Sequence, residues 1–371
     1  MSALGYLDAE LDALAEQGLL REPAPPAPPG DELLDLCSND YLGYAAEPWP
    51  APEGRSGAGA SRLVSGNHPA HEEAEATLAS WLGTESALLF SSGYAANVGT
   101  LAALARPGDV VVSDALNHAS IIDGCRLSGA TLRVVPHRDP AAVGAALAAA
   151  SSASRRWVVT ESYFSMDGDS PDLPALRALC DHHHAALIVD EAHALGVFGP
   201  HGTGLCAEVG IRPDVLIGTA GKALGLHGAF VLGSRQLRLW LWNRARSFVF
   251  STGVSPTLAT ALMSRTRRAL ADDAGRARLA RNAKRLREGL AELGVERVGE
   301  GRGPVIPWVA GTPDQAVRLS RRLREQGVLV QAIRPPTVPA GTSRLRITAT
   351  ARVTDADVTR ALQAFRAAMR G

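Results

Sequence analysis

Ile217-Gly-Thr-Ala-Gly-Lys222-Ala-Leu-Gly225-Leu-His-Gly228 sets a single lysine among glycines and small residues. Glycine lets backbone and ligand approach closely. The 371-residue chain carries 38 lysines and arginines, yet only Lys222 and Lys284 are lysines. Arginine therefore supplies almost every plain positive charge. Lys284 lies in Arg281-Asn-Ala-Lys284-Arg-Leu-Arg287, a charged helix face where arginine would serve as well. Lysine alone can shed its proton and form an imine with a carbonyl. Alone, Lys222 could equally be a loop lysine, so its neighbours decide.

Working outward, Ala87–Phe90, Val110–Ser113, Leu132–Pro136, Trp157–Thr160, Ala186–Val189 and Val215–Gly218 are short, apolar and rich in β-branched residues. Helical stretches fall between them, among them Pro69–Leu82 (stopped by Gly83), His118–Ser128 and Leu173–His183. This alternation predicts an α/β fold with a mostly parallel sheet covered on both faces. Before it come an amphipathic helix over 4–20, a proline-rich linker at 22–30 and a short strand at 33–37. After Phe250 the pattern predicts one long Arg-rich helix from Pro256 to about Leu293. Strands at 305–309, 328–333 and 344–348 follow, with helices at 313–326 and 355–369, which together read as a smaller α/β domain. The expected segments are 1–48 (helix and linker), 49–250 (large domain) and 251–371 (small domain).

Ligands in open α/β sheets sit at the carboxyl ends of strands, and four such ends carry unusual residues. Ser91-Ser-Gly93-Tyr94-Ala opens a helix, whose first N–H groups suit a phosphate. Asp114-Ala-Leu-Asn117-His118 offers a helix cap or a flat ring that could stack on an aromatic ligand. Asp190, after the buried run Leu187-Ile-Val189, needs a partner in the site. The letters DEAH also occur in helicases, but no phosphate loop of the G-x-x-x-x-G-K-[ST] type accompanies them. A metal site through Asp190 and His193 would lack a second cluster. The fourth end, Thr219–Lys222, adds a hydroxyl three residues before the lysine. An imine-forming lysine, an acid, an aromatic stacker and a phosphate pocket are the set that pyridoxal 5′-phosphate requires.

Formal net charge is zero, which favours neither nucleic acid nor an anionic membrane surface. The first residues lack a basic segment followed by an apolar run, so no signal peptide is expected. Cys37, Cys125, Cys180 and Cys206 are scattered, as expected for reduced thiols of a cytoplasmic protein rather than a disulfide framework or zinc site.

The motifs resemble the α-oxoamine synthases of the pyridoxal-phosphate-dependent transferase fold type I. The resemblance runs through Ser-Asn-Asp-Tyr-Leu-Gly at 38–43, Ser-Arg-Leu-Val-Ser-Gly-Asn at 61–67, Ser-Gly-Tyr-Ala-Ala-Asn at 92–97 and Asn-His-Ala-Ser at 117–120. It continues through Thr-Glu-Ser-Tyr-Phe-Ser-Met-Asp-Gly-Asp at 160–169, Val-Asp-Glu-Ala-His at 189–193, Gly-Lys-Ala at 221–223 and Ile-Arg-Pro-Pro-Thr-Val-Pro-Ala-Gly-Thr-Ser-Arg-Leu-Arg at 333–346. It implies that Lys222 holds the cofactor and acts as base and acid, that Asp190 pairs with the pyridine nitrogen, and that His118 stacks on the ring. These three are the catalytic candidates, and His118 is also a substrate-contact candidate. Gly93, Tyr94, Ser165, His193 and Thr219 would line the cofactor. Ser251 or Thr252 would reach the phosphate of a neighbouring subunit, which implies a homodimer. Asn39 and Arg346 would bind an amino-acid carboxylate, and Thr337 and Arg21 would contact substrate.

The 333–346 segment looks most like the biotin-pathway branch of that family. The implied substrates are L-alanine and a pimeloyl thioester, carried by coenzyme A or an acyl carrier protein. A sister activity with glycine or serine and another acyl thioester is the first alternative, and a non-catalytic scaffold subunit the second. Ala194 stands where the family motif usually has glycine, and alanines interrupt the glycines at 57–61, which bears on loop geometry.

Overall fold

The structure, a computed structural model, describes residues 3–21, 33–47, 54–295, 298 and 301–370. The linker expected at 22–30 lies outside them, as does most of the Pro-rich segment before Gly54. Twelve strands are present among the described residues: β1 (Leu34–Asp35), β2 (Ser86–Phe90), β3 (Val110–Asp114), β4 (Thr131–Val135), β5 (Arg156–Glu161), β6 (Ala186–Asp190), β7 (Val215–Thr219), β8 (Ala229–Gly233), β9 (Val305–Gly311), β10 (Val328–Leu329), β11 (Gln331–Ile333) and β12 (Ser343–Thr348). The chain divides into two compact units. One comprises residues 39–165 and 169–279, the other residues 1–38, 166–168 and 280–371.

The larger unit is built on a seven-stranded sheet in the order β2-β8-β7-β6-β5-β3-β4. Strands β3 to β7 pair in parallel, and β8 runs antiparallel to both β7 and β2. The mostly parallel α/β sheet is thus the one the apolar runs predicted. Their residues are buried on both faces: β3 is buried throughout, and β5 and β6 at all but their first residue. The core gathers Leu88, Phe90, Val111, Val159, Ile188, Ile217 and Val231 beneath helix residues Ala96, Leu101, Ile121 and Cys125. Each fully buried aliphatic side chain contributes about 1.5–3 kcal/mol. Strand β8 was not foreseen. Its five residues follow the glycine-rich loop directly, and only their insertion between β7 and β2 makes them a strand.

The chain passes from β3 outward to β4, then returns to the far side of β3 with β5 and continues to β6 and β7. The reversal opens a crevice at the carboxyl ends of β3 and β5. Helix Pro69–Leu82 ends as read, at Gly83 in the left-handed conformation. The expected single helix from 256 to 293 is two, Pro256–Ala271 and Asp273–Glu292. Asp272 breaks the run: its carboxylate accepts the Tyr44 hydroxyl and the Gly275 N–H, both at 2.8 Å, which holds its backbone out of helical geometry.

In the smaller unit, β11-β12-β9 form an antiparallel sheet, and β1 pairs in parallel with β10. The strand expected over 328–333 is split. The Val330 carbonyl accepts the Ser320 hydroxyl at 2.6 Å instead of a ladder partner, and the chain changes sheets there. The N-terminal helix, Tyr6–Glu16, is shorter than the expected 4–20 and buries none of its residues. Among the described residues, no helix is long and apolar enough to cross a membrane.

Candidate active site

Four strands of the larger unit end in chemistry-bearing residues. Register places Glu161 of β5 beside Asp190 of β6, and Asp190 beside Ile217 of β7. Paired residues of a parallel sheet face the same way, so the two carboxyls are neighbours. Strand β3 leads through Asn117 to His118, and β7 leads through Thr219 to Lys222. Asn117 pins its turn: its side chain donates to the Val159 carbonyl and accepts the Glu161 N–H.

Asp190 is anchored from both sides. Its Oδ1 accepts the Ala192 N–H at 2.8 Å, and its Oδ2 accepts the Asn97 side-chain amide at 2.7 Å. The same amide nitrogen donates to Ser120 Oγ at 3.0 Å, and Ser120 Oγ lies 2.7 Å from His118 Nδ1. His118 Nδ1 also accepts the Ser120 N–H, which makes Nδ1 the unprotonated nitrogen. Burial lowers the His118 pKa, and the Lys222 charge acts in the same direction against that of Asp190. The site therefore presents a neutral imidazole near an acid and a lysine.

Glu161 is buried. Its Oε1 accepts the His118 N–H at 2.7 Å, and the Ser165 N–H also bonds the carboxyl. Burial first, and the Asp190 charge second, push its pKa up to about 8, although Lys222 and the two N–H groups oppose them. Glu161 thus holds a proton at neutral pH that the unfolded chain has lost. In the cofactor-free protein the stability it carries should fall as pH rises from about 4.5 to about 8, and level off above. Glu161→Gln removes that slope. Thermal unfolding from pH 5 to 9 is expected to show the parent losing ground to the Gln variant up to about pH 8, with parallel behaviour beyond. Parallel curves over the whole range would mean that the carboxyl is already ionised.

The lysine loop is held by its backbone. Ala220 N–H donates to the Gly228 carbonyl, Leu226 N–H to the Ala220 carbonyl and Gly225 N–H to the Lys222 carbonyl, at 2.8–2.9 Å. Gly225 has φ +63, and a Cβ there would lie 2.4 Å from the Ala45 nitrogen, so only glycine fits. Thr219 Oγ1 donates to the Gly228 carbonyl and accepts the Gly221 N–H. A Cβ on Gly93 would sit 4.0 Å from Thr219 Cβ and Oγ1. The start of helix Gly93–Leu104, capped by Ser92, therefore faces the Thr219 hydroxyl across space that a side chain would fill. First-turn N–H groups lack intrahelical acceptors, so this cradle suits a phosphate. With Asp190, His118 and Lys222 nearby, the residues fit pyridoxal 5′-phosphate.

The remaining candidates fall in several places. His193 is buried, its Nδ1 2.6 Å from the Tyr41 hydroxyl, which lies 3.3 Å from Asn39 Oδ1. Ser165 is half-buried, and Tyr94 is exposed with its hydroxyl bonded to Asp123. Ser251 is half-buried and Thr252 exposed. Ala194 is fully buried and has no positive φ, so alanine needs no glycine conformation there. In the smaller unit, Arg346 is buried on β12 and donates to Thr348 Oγ1 at 3.0 Å. Arg21 donates to Thr337 Oγ1 at 3.2 Å and to the Arg334 carbonyl at 3.3 Å, so these two candidates meet. Sequence reasoning singled out neither Asn97, Ser120, Glu161 nor Tyr41, although each lies inside a motif that carried the resemblance.

The chain is similar to known proteins over most of its length. The family model for aminotransferase class I and II matches residues 31–365. The chain is 48% identical over 362 residues to the 8-amino-7-oxononanoate synthase of Anaeromyxobacter dehalogenans, covering 93% of this chain and 90% of that relative. Among solved structures, a serine palmitoyltransferase from S. paucimobilis with bound PLP is 28% identical with a TM-score of 0.90, covering 100% and 99% of the two chains. The 8-amino-7-oxononanoate synthase from Francisella tularensis is 25% identical with a TM-score of 0.77, covering 92% and 98%. The chain therefore belongs to the aminotransferase class I and II family and, within it, to the α-oxoamine synthases in the branch of the 8-amino-7-oxononanoate synthases.

Proposed function

We propose that the chain uses pyridoxal 5′-phosphate to condense L-alanine with a pimeloyl thioester, releasing carbon dioxide and the free thiol and yielding 8-amino-7-oxononanoate. When bound, the cofactor supplies an electron sink for the amino acid's Cα. Lys222 would hold it and would serve as the base that takes the Cα proton and the acid that returns one. Asp190, its direction fixed by Asn97 and Ala192, would keep the pyridine nitrogen protonated. The neutral His118 ring would stack on the cofactor, adding no second positive charge beside Lys222. Gly93, Tyr94 and Thr219 serve the phosphate end, and Ser165 and His193 line the ring. Asn39 and Arg346 are assigned to the amino-acid carboxylate, and Arg21 and Thr337 to substrate, on the strength of their motifs. Arginine suits that role because its planar fork bonds both oxygens. Ser251 or Thr252 of a second copy would reach the phosphate, which makes the working unit a homodimer.

The observation that carries this reading is the convergence of four groups: the charges of Asp190 and Lys222 both reach the His118 ring and the Glu161 carboxyl, and the His118 N–H bonds Glu161. Similarity to relatives named 8-amino-7-oxononanoate synthase supports the choice of substrates. The test is a titration of the purified protein with L-alanine, glycine and L-serine, followed by visible absorbance of the bound cofactor. A response at the lowest concentration with L-alanine, then turnover with pimeloyl-coenzyme A or a pimeloyl carrier protein, is expected. Preference for L-serine would move the activity toward that of the serine palmitoyltransferases, whose fold this chain shares.

A further inference from the structure

His137, just beyond β4, has no part in the chemistry above, yet it joins two turns that carry site residues. Its Nδ1 lies 2.9 Å from Asp114 Oδ1 at the end of β3, and its Nε2 lies 3.1 Å from Asp169 Oδ2 beyond β5. A carboxylate only accepts, so both ring nitrogens carry protons and the ring is an imidazolium. Asp114 also accepts the N–H groups of Leu116 and Arg138, each at 2.8 Å, and so shapes the turn that delivers Asn117 and His118. Asp169 accepts the Arg138 guanidinium at 3.0 Å, and its carbonyl accepts the Phe164 N–H at 2.9 Å, closing the turn that holds Ser165. The Phe164 ring packs edge-on against His137 with centroids 4.4 Å apart. Arg138 itself has φ +57, a conformation that costs free energy in any residue but glycine. The bonds of Arg138 to Asp114 and Asp169 hold it there.

We propose that His137 is a positioning residue, whose imidazolium locks the turn after β3 to the turn after β5 and so sets the spacing of His118 and Ser165 around the cofactor. This rests on the cofactor assignment made above. Burial pulls the His137 pKa down, but the hydrogen bonds and charges of Asp114 and Asp169 outweigh it and raise it to about 9. The charged groups around the ring are Asp114 from β3, Asp169 from the turn after β5 and Arg138 from its own turn. The neighbouring Asp139 is engaged in capping helix Pro140–Ala148 through the Ala142 N–H. Because the folded-state pKa is raised, the contribution of the clamp is complete below about pH 6.5 and lost as pH rises to about 9.

The test compares holoenzymes of the parent, His137→Gln, Asp169→Asn and the double variant, reading the dissociation constant of pyridoxal 5′-phosphate from pH 6.5 to 10. Glutamine can reach one carboxylate but not both, and carries no charge. At pH 7 each single variant is expected to hold the cofactor about 10-fold more weakly, the worth of one charge-assisted hydrogen bond. The double variant should be little weaker than Asp169→Asn, which already removes the His137 link together with the Arg138 ion pair. The gap between parent and His137→Gln should close to about 2-fold or less by pH 10. A gap that stays constant with pH is what loss of packing alone would give, and would overturn the proposal, as would full additivity or unchanged affinity. If His137→Gln fails to fold, Asp169→Asn alone still carries the pH test, because it keeps the ring. Failure of the parent itself to bind the cofactor would remove the cofactor assignment, and the clamp with it.

Discussion

Lys222→Ala is expected to fold, to lose the absorbance band of the covalently held cofactor and to lower turnover by about 10³-fold or more. The loop that presents Lys222 is closed by backbone hydrogen bonds across Ala220, Leu226 and Gly228, so truncating the side chain leaves its frame in place. Proton transfer by a placed side chain contributes about 10²–10⁴-fold, and loss of the covalent link adds to that. Lys222→Arg separates charge from chemistry. Arginine keeps the positive charge near Asp190 and Glu161 but cannot give up a proton or form the link, so it should perform no better than alanine. Single-turnover kinetics with L-alanine and a pimeloyl thioester decide the point. Turnover within about 10-fold of the parent would sink the assignment.

Asp190→Asn is expected to lower kcat by about 10²–10³-fold while preserving the fold, as removal of a placed electrostatic partner commonly does. The substitution conserves shape and changes only charge and hydrogen-bonding sense. An amide has one accepting oxygen, so it can keep the bond from Asn97 or the bond from the Ala192 N–H, but not both. The folded state should therefore lose about 1–3 kcal/mol, the cost of one hydrogen bond, while the larger effect appears in the chemistry. Steady-state kinetics beside thermal unfolding separate the two. A variant that loses stability but keeps its kcat would mark Asp190 as a structural anchor and leave the electron sink without its partner.

Asp190, His118 and Lys222 could be read from the chain because each follows a short apolar run at the point where a strand must stop. Period and punctuation are local properties, and a buried parallel strand leaves a nearly continuous apolar signature. The glycine-rich loop was legible for the same reason, since Gly225 sits where no side chain fits. Glu161 was harder to see. Its letter lies in a strand-end motif, but its shift to about 8 comes first from burial and then from Asp190, its neighbour on the adjacent strand. Asn97, 93 residues earlier in the chain than Asp190, announces nothing by itself and becomes informative only through the carboxylate it anchors.

The sequence by itself therefore determined the α/β class, the family and the residues able to carry chemistry, because these follow from residue type and short-range spacing. The tertiary structure decided which of them meet. It inserted Ala229–Gly233 as an antiparallel strand, split 328–333 between two sheets and broke the long helix at Asp272. It also brought His137 between Asp114 and Asp169. Each of these outcomes depends on pairing register and side-chain partners distant in the chain, and no local pattern encodes the choice of partner.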